Sequence, residues 1–159
     1  MDLFCGSAIR RIKEAQGIIK SIDSNLKFQK SEDELNDCLL ALIHSVGDIA
    51  DRIYESGNGK IKLLSEDDKV FLLAFVYLNN QLKHDTHLNI IYCEVQGSMF
   101  PINFSKSMHF GQPIVCWANF EDHGRKNARG RRKHYDAVLN SKNVYDSLNR
   151  LGLIIKAVE

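Results

Sequence analysis

Little in this chain punctuates it. Of 159 residues only two are proline. Proline breaks helix and sheet ladders, so its scarcity leaves room for long regular elements. The four cysteines, Cys5, Cys38, Cys93 and Cys116, have 22 or more residues between any two. With no Cys-x-x-Cys pair, there is neither a zinc ribbon nor a thioredoxin-type redox motif. All four fall in apolar stretches and read as small core side chains with reduced thiols. The longest apolar run, Val70 to Leu78, is nine residues, about half a membrane span. The opening residues, MDLFCGSAIRRIKEAQ, carry no basic-then-apolar leader. The expectation is no membrane association and a cytoplasmic location. Nucleotide loops and hydrolase elbows of the GxGxxG, Walker and GxSxG types are missing too. Gly57-Asn58-Gly59-Lys60 lacks the Walker spacing and reads as an interhelix turn.

What is present is ordinary in bulk. Hydrophobic residues make up 44% and charged residues 26%, which excludes collagen-like, disordered and membrane-embedded classes. The length fits one domain over 1–159. A chain this long buries roughly 70% of its unfolded surface, so it needs no metal or disulfide to hold a core. The net charge is +1, yet it is uneven: residues 1–120 hold 12 Lys/Arg against 15 Asp/Glu, and residues 121–159 hold 9 against 5.

The first half is periodic. Ala8, Ile12, Ala15, Ile19, Ile22 and Leu26 are spaced alternately by four and three, and Leu35, Leu39, Leu42, Val46, Ile49 and Ile53 repeat the pattern. Each set makes one apolar stripe on a helix. Ser31-Glu32-Asp33-Glu34 has the form of a capping box and predicts the start of the second helix. The predicted spans are therefore 6–29 and 32–55. Ser56-Gly57-Asn58-Gly59 ends the second. Asp48, Asp51 and Arg52 lie opposite its stripe, and His44 is grouped with them as a surface residue.

Ser65-Glu66-Asp67-Asp68 starts a third helix over 66–87, with three carboxylates at the positive end of the dipole. Apolar all round from Val70 to Leu78, it should pack among other helices. Residues 89–120 are β-branched and aromatic, interrupted by Gln96-Gly97-Ser98 and Phe110-Gly111-Gln112-Pro113, which is strand and hairpin chemistry. Trp117 sits in an apolar strand candidate and reads as core. A last helix is predicted over 135–151, stopped by Gly152. The fold class is mainly α: a four-helix bundle with a β-hairpin insertion between the third and fourth helices.

Two clusters are candidates for chemistry. At the end of the third helix, Asn80, His84 and His87 recur at four and three and share a face if the helix continues. An imidazole there can act as a general acid or base near neutral pH. The same polar residues also suit a solvated helix end. The second cluster is Arg125, Lys126, Arg129, Arg131, Arg132 and Lys133, six cations in nine positions. With Gly124 and Gly130 it reads as a basic loop over 123–134, able to neutralise phosphates or to meet an acidic partner. His84, Asp85 and His87, with His109 and His123, fall short of a convergent metal set, so no metal or other cofactor is expected.

The stretch LNNQLKHD after a buried apolar helix resembles the HEPN superfamily of small helical-bundle proteins. Many of these are metal-independent ribonucleases of toxin–antitoxin and defence systems. Their signature is an arginine, a polar residue after it, and a histidine beyond four to six intervening positions. Here Asn79 stands where the arginine would be, Asn80 matches the polar residue and His84 matches the histidine. The resemblance implies a bundle that forms a homodimer, with His84 in proton transfer beside Asn80 and Asn79, and RNA as substrate. A cation from the 125–133 run would replace the missing arginine charge. The asparagine at 79 equally implies a second reading. The chain would then be a non-catalytic binding or immunity module that meets nucleic acid or a cognate protein through its basic loop. Arg129 and His134 also match the spacing, but so basic a run matches it by chance.

Overall fold

The computed structural model describes residues 2–22, 25–55, 59–85, 87–96, 112–121 and 129–159. It is mainly helical, with one small antiparallel hairpin. In chain order come α1 (Asp2–Ser21), α2 (Asn25–Glu55), a short 3-10 turn (Gly59–Leu63), α3 (Glu66–His84), β1 (Ile91–Gln96), β2 (Gln112–Trp117), α4 (Arg129–Val138) and α5 (Val144–Val158). Among the described residues five α-helices stand where four were expected.

The first boundary lies earlier than expected. α1 closes at Ser21 and α2 opens at Asn25, so Ser31–Glu34 is interior helix and not a helix start. A Ser-x-x-Glu pattern is also compatible with a helix interior. Asp23 and Ser24, which precede Asn25, are equally good cap residue types. The stripe on α2 holds: Leu35, Leu39, Leu42, Val46, Ile49 and Ile53 are all fully buried. Burying each such side chain contributes about 1.5–3 kcal/mol.

α3 begins where its cap predicts. The Ser65 hydroxyl accepts from the Asp68 backbone N–H and donates to the Asp68 carboxylate at 2.8 Å. Phe71, Leu72 and Ala74 to Leu78 are buried, as an all-round apolar helix requires. It stops at His84, short of the predicted 87, because Asp85 is extended (φ −140°, ψ 99°) and its carboxylate takes the His87 backbone N–H at 3.0 Å. That side-chain turn competes with the helical ladder. His87 is therefore not on the helix face shared by Asn80 and His84.

β1 and β2 pair from Ile91↔Trp117 to Gln96↔Gln112. The other strand candidates, including Phe100 to Phe104, lie outside the described residues. Trp117 is fully buried and meets Phe75 edge-on, ring centroids 5.7 Å apart at 89°.

The predicted last helix is in fact two, and the described part of the basic run, 129–133, is helical. α4 starts at Arg129 inside the predicted loop. After Val138 the chain breaks at Ser141, whose φ is 58°, and Asn143 caps α5 by accepting the Tyr145 N–H at 2.8 Å. The break has a tertiary cause. Ser141 N–H donates to Trp117 O at 2.9 Å and Trp117 N–H to Lys142 O at 3.0 Å. The linker thus satisfies the backbone of the β2 end, which a continuous helix would leave unpaired. Gly152 does not stop α5; it lies inside the helix on the face turned to Ile12 of α1.

The buried side chains form one contiguous cluster that joins all five helices and both strands. Cys5 and Cys38 are buried in it, Cys116 is buried and Cys93 is half-buried against the cluster. α2 packs between α1 and α3, α4 packs on α3, and α5 packs on α1. Arg150 of α5 ties back to α3, pairing with Asp68 at 3.0 Å with its guanidinium 4.5 Å from the Phe71 ring centre.

Candidate functional site

The residues singled out at the end of α3 point in different directions. A helix turns about 100° per residue, so Asn79 and Asn80 cannot share a face. Asn79 is buried, only 3% exposed, and aims at α2. Its Oδ1 accepts from His44 Nδ1 at 2.6 Å. The amide rests on Gly47, where a Cβ would overlap Asn79 Nδ2 and lie 2.8 Å from Cγ. His44 is thus half-buried at the α2–α3 seam, not on a solvated face. Its partner lies 35 positions along the chain, so periodicity within α2 alone gave no sign of it.

Asn80 and His84 are four apart and do share a face. Asn80 is half-buried and His84 exposed. Among the described residues, His84 makes no side-chain hydrogen bond or ion pair. Lys83 and His84 occupy the last turn, where positive charge suits the helix dipole.

The basic run divides as well. Arg125 and Lys126 lie outside the described residues. Arg129 opens α4. Arg131 and Lys133 are exposed, whereas Arg132 turns inward. Its Nη1 donates to Phe120 O at 2.6 Å and reaches the Tyr77 hydroxyl at 3.4 Å. Nη2 donates to Asn119 Oδ1 at 2.7 Å, and Nε to the Asp136 carboxylate at 3.1 Å. The guanidinium also sits 5.6 Å from the Phe120 ring centre. Burial pulls its pKa down, but the Tyr77 and Asp136 contacts outweigh this and raise it. A fork this fully engaged holds the segment after β2 onto α3 and α4 and has little left for a phosphate.

Around it lies an aromatic cluster. The Tyr135 ring is 5.0 Å from Phe120 and 5.7 Å from Tyr77, and its hydroxyl donates to Ala118 O at 2.6 Å. Burial pushes the Tyr135 phenol far up. His134 beside it is pushed down, first by burial and then by the charges of Lys133 and Arg131.

Two ends of the molecule emerge. α2 and α3 run antiparallel: His44 meets Asn79 at one end, and Tyr54 feels Lys69 at the other. Arg131 acts to lower the Tyr54 phenol pKa against burial, and Arg132 reaches the Tyr77 hydroxyl in the second half of α3. From Lys69 to His84 that helix rises about 22 Å. Tyr54 is an exposed aromatic that sequence reasoning missed. Its sole signal was an aromatic in the last polar turn of α2.

Among the described residues no group of His, Cys, Asp and Glu is placed to hold a metal, and no helix is long and apolar enough to cross a membrane. Comparison with protein-family models, with curated proteins and with solved structures found no match.

Proposed function

We propose that this protein is a non-catalytic RNA-binding helical bundle whose contact surface is the basic stretch 125–133. The observation that carries this reading is the placement of Asn79. In the HEPN frame this position should offer a cation to a scissile phosphate. Here the side chain is buried, bonded to His44 and seated on Gly47. It has no charge and is almost wholly buried, so it supports helix pairing and not phosphate chemistry. Among the described residues His84 makes no side-chain hydrogen bond or ion pair and shares its face with Asn80, which falls short of the charge stabilisation that phosphoryl transfer needs. Arg131 and Lys133 project freely from α4, and exposed cations supply salt-dependent affinity by counterion release.

The test pairs binding with cleavage. Fluorescence anisotropy with single-stranded RNA should show affinity falling linearly in log–log form with salt. Arg131→Ala/Lys133→Ala should reduce that slope by about 1.4, at roughly 0.7 per phosphate contact on single strands. Arg132 stays intact in this variant because its loss damages the fold. The same RNAs, incubated with chelator, should survive wild type and His84→Ala alike. RNA affinity with no salt dependence, or none at all, refutes the reading. Cleavage lost in His84→Ala replaces it with the ribonuclease reading.

A further inference from the structure

A trough runs between α1 and α5. The helices lie antiparallel: Lys20 Nζ stands 5.3 Å from the Tyr145 ring centre, Gln16 Nε2 donates to Asn149 Oδ1 at 2.7 Å, and Gly152 faces Ile12. Between these crossings lies a cavity of about 200 Å³ whose apolar wall includes Ile9, Ile12, Leu148 and Leu153. Gly152 has no side chain to fill it. Leu153 stands on its lip, 70% exposed, the most exposed large apolar side chain described.

The charges around the trough have one sign. Lys13 and Lys156 are its titratable lining residues, and Lys20 extends the basic rim along α1. Glu14 and Asp146, the nearest carboxylates in sequence on the two helices, are not in the lining. From Ile9 to Gln16 the α1 wall of the trough is about 11 Å long, the length of two helical turns.

We propose that this trough is a docking site for an acidic amphipathic helix of a partner protein. Its volume falls below the roughly 300–1,000 Å³ of small-molecule sites. An open apolar groove of this length takes anchors at i, i+3 or i+4 and i+7 of a helix laid into it. The lysines on both walls select carboxylates on the flanks of that helix. A second copy docking trough to trough would set lysine against lysine. A membrane would need a protruding apolar face and not a concave one.

The probe is a set of stapled helical peptides with a Leu/Phe seam at those spacings and flanks of either Glu or Lys. The full chain should bind Glu-flanked peptides at least tenfold more tightly than Lys-flanked ones. Leu153→Asp should weaken this at least tenfold. Lys13→Glu/Lys156→Glu should invert the flank preference. All of these positions are at the surface, and circular dichroism verifies that the variants fold. Arg131→Ala/Lys133→Ala should leave peptide affinity unchanged, which separates this site from the RNA surface. Equal binding of both peptide sets, or of neither, overturns the proposal. So does a wild-type dimer in sedimentation that Leu153→Asp converts to monomer. Binding to phosphatidylglycerol vesicles that depends on Leu153, without peptide binding, overturns it in favour of a lipid surface.

Discussion

Gly47→Ala should destabilise this protein, although Gly→Ala inside a helix ordinarily stabilises by about 1 kcal/mol. The new methyl would sit 2.8 Å from Asn79 Cγ and overlap Nδ2, whereas carbon atoms rest about 3.5–4.0 Å apart. Asn79 must swing away, and its 2.6 Å bond to His44 goes with it. Overpacking costs about 1–3 kcal/mol and the lost hydrogen bond about 0.5–1.5. Set against the propensity gain, the net is about 2 kcal/mol. For a domain near this size that lowers Tm by about 4–8 °C. The decisive background is Asn79→Ala. With the amide gone, the methyl has room, and Gly47→Ala should stabilise by about 0.5–1 kcal/mol. A double-mutant cycle from urea unfolding followed by circular dichroism reads the sign change as a coupling of about 2–3 kcal/mol. If Gly47→Ala stabilises the wild-type background, the helix-pairing role assigned to Asn79 is wrong.

Two further predictions follow from side chains already described. Arg132→Ala should lose about 1–3 kcal/mol in urea unfolding, because it leaves the half-buried Phe120 carbonyl without its donor and frees the segment after β2 from α3 and α4, while its neighbour Arg131→Ala should stay within about 0.5 kcal/mol; equal effects would place Arg132 among the solvated cations. Asp68 should govern part of the acid limb. The Ser65 hydroxyl first, and then the Arg150 guanidinium, hold its carboxyl below the ordinary 3.8 against the opposing effect of burial. A depressed pKa means that the unfolded chain binds the proton more readily, so this stability is complete above about pH 4 and is lost as pH falls through the folded value. Thermal unfolding from pH 5 to 2 should therefore show a shallower decline for Asp68→Asn than for wild type, and identical slopes would remove the Ser65–Arg150 clamp from the account.

Much of the fold was legible in single segments. The four-three spacing from Leu35 to Ile53 was enough to place a buried stripe, since a helix of period 3.6 stacks those positions on one side. The Ser65 cap and the three carboxylates after it marked the start of α3, because they satisfy backbone donors that lie within one turn. The aromatic and β-branched residues around 91–96 and 112–117 marked the hairpin. Two of the failures had a non-local cause. The α4–α5 break is set by the backbone of Trp117, some two dozen residues earlier. Gly152 read as a stop because glycine weakens helices in isolation, but α5 packs on α1 and continues to Val158.

The candidate site divides along the same line. Composition and local pattern by themselves determined that the chain has a basic stretch at 125–133, a polar turn at Asn79–Asp85 and apolar helix faces, because those depend on residue type and spacing alone. Tertiary structure decided which of those residues are free to act. Asn79 and Asn80 are adjacent in sequence, yet one is buried on Gly47 of another helix and the other lies on the His84 face. Arg131, Arg132 and Lys133 are equally basic, yet only Arg132 meets Phe120, Asn119 and Asp136. A charged or polar group is committed by the partners that surround it in space, and those partners come from helices and strands far along the chain.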